Sequence, residues 1–154
     1  MTIAQYIDRI NQRYKQGNST EHTFRGDLGS LLEALVPEII ATNEPKRQAC
    51  GAPDYIISRG EIPVGHIEAK DIGDKDLEGK KKTGNQEQFD RYKTGLSNLI
   101  FTDYIDFIFY RDGVFTTKIS IGKIENGSIV PLPENFEQFT HLFENFTKTI
   151  SQSI

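Results

Sequence analysis

Asp54-Tyr55-Ile56-Ile57-Ser58-Arg59, Gly60-Glu61, and then Val64-Gly65-His66-Ile67-Glu68-Ala69-Lys70 form the stretch whose reading decides the fold. Two runs rich in β-branched residues, joined across a glycine-containing turn, predict a β-hairpin. Successive strand residues face opposite sides, so Glu68 and Lys70, two positions apart, project from the same side. The antiparallel return brings Asp54, at the start of the first strand, near the end of the second. Three charged side chains thus gather at one corner of a sheet, among the neighbours of a buried strand: Tyr55, Ile56, Ile57, Ile67 and Ala69. Charge in such surroundings is costly unless it is paired or metal-bound.

Outward from the hairpin, the apolar spacing predicts the remaining elements. Ile3, Ile7, Ile10 and Tyr14 mark a helix over Ile3–Lys15 that stops at Gly17-Asn18. A second helix starts near Thr20, with Phe24, Leu28, Leu31, Leu32 and Leu35 on one face and Pro37 at its end. Residues 43–53 read as a loop or a short edge strand, and the polar residues 71–86 as a flexible loop. A helix is expected from about Gln86 to Leu96, with Phe89, Tyr92 and Leu96 on one face. Strands follow at Asn98–Thr102, at Tyr104–Tyr110 (apolar enough to be buried on both faces) and at Val114–Ile121. Glu125-Asn126-Gly127 is a further hairpin turn. From Pro133 a closing helix carries Phe136, Phe139, Phe143, Phe146 and Ile150 on one stripe. The order α, α, β, β, α, β, β, β, α argues an α/β fold with a central mixed sheet flanked by helices.

Composition bounds the functional classes. A chain of 154 residues with 36% hydrophobic and 26% charged residues is one globular domain, too apolar for disorder. The single cysteine, Cys50, excludes an internal disulfide and a cysteine-based zinc cage, and makes the reducing cytoplasm the expected compartment. No apolar run approaches a membrane span of about 18 residues, and the first residues do not begin a signal peptide. A phosphate-binding G-x-x-x-x-G-K-[ST] loop is missing, so the chain holds no ATPase of that kind. A net charge of −4 does not advertise nucleic acid.

The corner of Asp54, Glu68 and Lys70 has two readings. Two carboxylates and a backbone carbonyl, that of Ala69, make the oxygen donor set a hard cation such as Mg²⁺ prefers. Lys70 beside such an ion orients or helps deprotonate an attacking water and stabilises charge on a phosphate. The competing reading is a salt-bridge cluster at a strand edge. Without a metal, two crowded carboxylates repel, so removing either one is expected to raise stability.

The same residues carry a family resemblance. Pro53-Asp54 followed by Glu68-Ala69-Lys70 resembles the PD-(D/E)xK nuclease signature. The flanks Thr20-Glu21-His22, Asn43-Glu44-Pro45-Lys46-Arg47, Cys50-Gly51-Ala52 and His66-Ile67, with Asn98-Leu99-Ile100-Phe101-Thr102-Asp103-Tyr104, resemble the Mrr-like N-terminal nuclease domain of single-polypeptide restriction–modification enzymes (Type ISP or Type IIG-like). The resemblance spans about residues 20–113. It implies a restriction-endonuclease-like core over residues 20–121, preceded by an N-terminal helix (1–19) and followed by a hairpin and C-terminal helix (122–154). It further implies Mg²⁺-dependent hydrolysis of phosphodiester bonds in double-stranded DNA, Mn²⁺ substituting. Helicase, methyltransferase and target-recognition domains would normally lie in the same polypeptide. Alternatives are a free-standing defence or repair nuclease of this fold, or a non-catalytic docking module.

Carried onto this chain, the resemblance makes Asp54 and Glu68 metal ligands and Lys70 the catalytic lysine. Gln88 and Tyr92 match a Q-x-x-x-Y element; at i and i+4 they share one helix side and could hold the site or a phosphate, although Tyr92 also fits the packing face. Glu21, in line with the apolar stripe of the second helix, is a distal metal ligand or simply a first-turn acid. Lys46, Arg47, Lys80, Lys81 and Lys82 concentrate the positive charge and are candidates for contacts to the DNA backbone.

Overall fold

The computed structural model describes residues 1–17, 21–43, 54–73 and 96–148, the side chains at 21–23 excepted. Helix α1 (Ile3–Gln16) opens on a capping box: Thr2 accepts from the Gln5 N–H, and the Gln5 side chain accepts from the Thr2 N–H. It ends on Gly17, whose φ of 76° is the left-handed conformation that glycine adopts without strain. Helix α2 (Glu21–Leu35) follows. Then come strands β1 (Ile39–Asn43), β2 (Tyr55–Arg59), β3 (Ile62–Ala69), β4 (Asn98–Thr102), β5 (Asp106–Arg111) and β6 (Val114–Ser120). A small hairpin of β7 (Gly122–Glu125) and β8 (Ser128–Pro131) leads through a 3₁₀ turn at Pro133–Asn135 into helix α3 (Phe136–Lys148).

The main sheet has six strands in the order β1-β2-β3-β4-β5-β6. Every neighbouring pair is antiparallel except β3 and β4. A parallel pair requires a crossover of a dozen or more residues, and the connection from Lys70 to Ser97 provides it. The helix expected over Gln86–Leu96 falls in that connection and lies outside the described residues, apart from Leu96. Leu96 itself is not helical; it packs against Leu99, Phe101, Ile108 and Tyr110.

The larger core sits on one face of the sheet, where Tyr55, Ile57, Ile67, Ile100, Phe107 and Phe109 meet the buried faces of the three helices. From α1 come Ile3, Tyr6, Ile7 and Ile10; from α2 Phe24, Leu28, Leu31 and Leu32; from α3 Phe139, Phe143 and Phe146. Of the phenylalanine stripe, Phe139, Phe143 and Phe146 are therefore buried within this chain's own core, Phe136 is partly buried against it, and Ile150 lies outside the described residues. Each such ring stabilises the fold by about 1.5–3 kcal/mol. The mixed α/β architecture, a mixed sheet flanked by helices, is consistent with a restriction-endonuclease-like fold. Among the described residues no helix is long and apolar enough to cross a membrane.

Two elements differ from the pattern in the sequence. Strand β1 was absent from the periodicity because an edge strand with one fully buried residue, Ile39, has almost no alternating apolar signal. Its Ala41 N–H is held by Glu33 Oε2 at 2.9 Å, which covers part of the open edge. The expected strand Tyr104–Tyr110 begins only at Asp106, because Tyr104 takes a φ of 79° in the turn after β4.

Candidate active site

The hairpin forms as its pattern requires. Tyr55 lies opposite Ile67 and Ile56 opposite His66, and one step further along the register Asp54 comes against Glu68. A bulge near Ile57 and Ser58 leaves Val64 as the extra residue of β3, at the far end from this corner. In the β3–β4 register Ile67 is beside Ile100, and Glu68 beside Phe101. Ile67 and Ile100 belong to the large core, whereas Phe101 belongs to the smaller cluster on the other face. Glu68 thus leaves the sheet on the side away from the helices' shared core. The strand parity that placed Glu68 and Lys70 together is realised as an ion pair, Lys70 Nζ to Glu68 Oε2 at 3.3 Å.

Both acids are buried, Asp54 at 0% and Glu68 at 1% exposure. Asp54 Oδ2 accepts the Ala69 N–H at 2.8 Å. A regular strand residue directs its N–H and C=O to the same side, which would turn the Ala69 carbonyl toward Asp54 as well. The Lys70 N–H donates the other way, to the Thr102 carbonyl at 2.8 Å, which prolongs the β3–β4 ladder past Ala69. Asp54 Oδ1 is bound by Arg25 Nη2 of helix α2 at 2.7 Å, a charge-assisted length. Each acid therefore has a cation. Against the expected relief of repulsion on removing one of them stands the loss of an ion pair, buried in the case of Asp54 and Arg25.

Arg25 was not singled out from sequence, although a signal was present. It falls three residues before Leu28 and seven before Leu32, on the apolar arc of α2, where a cation needs a buried acid. The backbone around the corner is braced by tyrosines that are 0% exposed. The Tyr55 hydroxyl donates to the Arg25 carbonyl at 2.8 Å and the Tyr6 hydroxyl to the Tyr104 carbonyl at 2.6 Å. Burial pushes both phenols well above their ordinary pKa, so they act as neutral donors.

The turn after β4 holds the segment leaving Lys70. Asp103 Oδ1 accepts the Asp106 N–H at 2.7 Å and the Ile105 N–H at 3.2 Å, and Oδ2 accepts the Gly73 N–H at 3.3 Å. Thr102 Oγ1 accepts the Tyr104 N–H at 2.9 Å and donates to the Asp106 carbonyl at 2.7 Å. Burial, with the charge of Asp106, raises Asp103 to a pKa of about 6 against the stabilising N–H donors. His66, half-buried on the same side of β3 as Glu68, has its pKa lowered by burial and stays neutral.

Among the described residues no three His, Cys, Asp or Glu side chains group closely enough to hold a metal ion. Asp54 and Glu68, facing each other in the register, would with the Ala69 carbonyl offer oxygen donors only. That fits Mg²⁺, which binds through one or two carboxylates and fills its octahedron with water and phosphate. Glu21 is the first residue of α2, and its side chain lies outside the described residues. So do Gln88, Tyr92, Lys46, Arg47, Lys80, Lys81 and Lys82.

No family model and no curated protein matches the chain. Among solved structures, the chain is similar to part of a DrdV–DNA complex determined by cryo-electron microscopy. The likeness has a TM-score of 0.63 at 14% identity and covers 96% of this chain. It covers 14% of the other, so the chain corresponds to a small part of a much longer polypeptide. At that identity the similarity is one of fold.

Proposed function

We propose that this chain is a metal-dependent DNA endonuclease domain of the PD-(D/E)xK type, with Asp54, Glu68 and Lys70 as its core. The observation that carries the reading is two buried carboxylates, Asp54 just before β2 and Glu68 on β3, with a lysine two residues after the second. Similarity of fold to part of a DNA complex supports DNA as the substrate.

In this reading Asp54, Glu68 and the Ala69 carbonyl hold Mg²⁺, or Mn²⁺ in its place. The ion supplies Lewis acidity toward the scissile phosphate. Lys70, whose side chain is 16% exposed against 1% for Glu68, stands at the mouth of the corner. Its ammonium, fixed by Glu68, orients the attacking water and offsets charge on the phosphate. The lysines at 80–82, with Lys46 and Arg47, contact the DNA backbone without reading sequence. Gln88 and Tyr92 support the site, and Glu21 serves as a distal ligand. The chain is one domain, the cleavage module of a restriction–modification polypeptide. There it works in the cytoplasm and is delivered to its target by helicase, methyltransferase and recognition parts.

A second reading, a docking module without catalysis, draws on the Arg25–Asp54 pair, which by itself is a structural bridge between α2 and β2. Nicking of supercoiled plasmid in Mg²⁺ or Mn²⁺ separates the two. The wild type is expected to nick, Glu68→Gln to be inactive, and Lys70→Arg to fall by roughly 100-fold or more, since the planar guanidinium cannot replace a compact ammonium. Equal nicking by all three, or by none, rejects the nuclease reading.

A further inference from the structure

We infer that Arg25 sets the metal affinity of this corner: its guanidinium is the resident counter-cation of Asp54, and a divalent ion must compete with it for Oδ1. The inference rests on the proposed metal site and adds to it a residue of another element. Each proposed metal ligand already carries a cation, Arg25 on Asp54 and Lys70 on Glu68. A divalent cation entering beside those two cations adds an excess of positive charge in a place where Asp54, Glu68 and Arg25 are all at most 4% exposed. Burial makes such an excess costly, so entry of the ion is opposed until the guanidinium gives way or an anion joins.

The geometry makes Arg25 a competitor rather than a bystander. Its Nη2 lies 2.7 Å from Asp54 Oδ1, while Oδ2 is engaged by the Ala69 N–H at 2.8 Å. Each oxygen keeps a second lone pair for a metal, but a metal on Oδ1 would share it with the arginine and lie beside the guanidinium charge. The arginine's backbone is itself pinned, its carbonyl receiving the Tyr55 hydroxyl at 2.8 Å, so yielding is a matter of side-chain torsions and not of helix movement. Asp27, a buried acid of α2, shows the contrast. Its partners Arg9 and Arg13 come from α1 and are 54% and 39% exposed, an arrangement that ties two helices at the surface. A scissile phosphate brings negative charge, so metal and DNA are expected to enter together.

The test is calorimetric titration of the intact chain with MnCl₂ alone, comparing wild type, Arg25→Gln and Glu68→Gln. Glutamine keeps a donor for Asp54 and removes the charge. Arg25→Gln is expected to bind Mn²⁺ at least about tenfold more tightly than wild type, and Glu68→Gln more weakly. A folded Arg25→Gln protein with equal or weaker affinity, while wild type binds through Glu68, overturns the role of Arg25 and leaves the metal site standing. Mn²⁺ binding that is absent in wild type and Arg25→Gln alike overturns the metal site and this inference together. A second measurement needs no folded variant at that position. The side-chain NMR resonances of Arg25 in the wild type, assigned through its own backbone connectivities, are expected to shift on saturation with Mg²⁺. Unmoved resonances at saturation overturn the inference.

Discussion

Replacing Asp54 with alanine removes the acceptor of two groups that cannot reach water. Arg25, 4% exposed, loses its ion pair at 2.7 Å, and the Ala69 N–H loses its acceptor at 2.8 Å. Removing one member of a buried pair costs about 3–5 kcal/mol, and an orphaned buried N–H about 1–3 kcal/mol, the two overlapping because both groups share one carboxylate. A net loss of about 3–5 kcal/mol lowers the melting temperature of a chain this size by roughly 6–20 °C. The measurement is urea and thermal unfolding followed by far-ultraviolet circular dichroism in EDTA, so that bound metal does not enter. A double variant, Arg25→Met with Asp54→Leu, removes both charges and should recover much of the loss, since a packed apolar pair replaces a buried ion pair at little cost. Asp54→Ala melting at or above the wild type would refute the reasoning. Repulsion between Asp54 and Glu68 would then outweigh the attraction of Arg25.

Two further perturbations test the packing and the turn that position this corner. A Cβ at Gly65 would overlap Phe146 Cζ and stand 2.7 Å from its Cε2, so Gly65→Ala should cost about 1–3 kcal/mol; a loss under about 0.5 kcal/mol in urea unfolding would show that α3 can step aside. Asp103, raised to a pKa of about 6 from 3.8, binds its proton more tightly in the folded chain. Its stabilising contribution is therefore complete below about pH 4 and lost as pH rises through 6. Asp103→Asn should remove that dependence, moving the stability difference in the variant's favour by about 2–3 kcal/mol between pH 4 and pH 7. Parallel stability–pH curves for the two proteins would contradict it.

Much of the architecture is local chemistry written in period and punctuation. The four-residue steps of Ile3 and Ile7, the stripe from Phe24 to Leu32 and the spacing of Phe139, Phe143 and Phe146 each specify a helix with one apolar face, and the structure buries those faces. The hairpin and the shared side of Glu68 and Lys70 follow from the two-residue repeat of a strand and need no knowledge of the rest of the chain. Strand parity alone brought the acid and the lysine of the candidate site together.

What the tertiary structure decided are the facts that depend on partners remote in sequence. Arg25 is separated from Asp54 by 29 positions, so no spacing rule links them; only the packing of α2 beside β1 and β2 brings guanidinium to carboxylate. Tyr104 accepts a left-handed backbone because Thr102, Asp103 and Tyr6 hold its N–H, its flanking N–H groups and its carbonyl, a balance of contacts invisible in a run that reads as strand. The edge strand β1 exists because β2 offers it a ladder, not because its own residues alternate. Period is a property of neighbours along the chain, and the sequence by itself determined what period can express. The charge balance of the corner is a property of neighbours in space, where burial makes each unpaired charge costly, and only the assembled sheet and helices could set it.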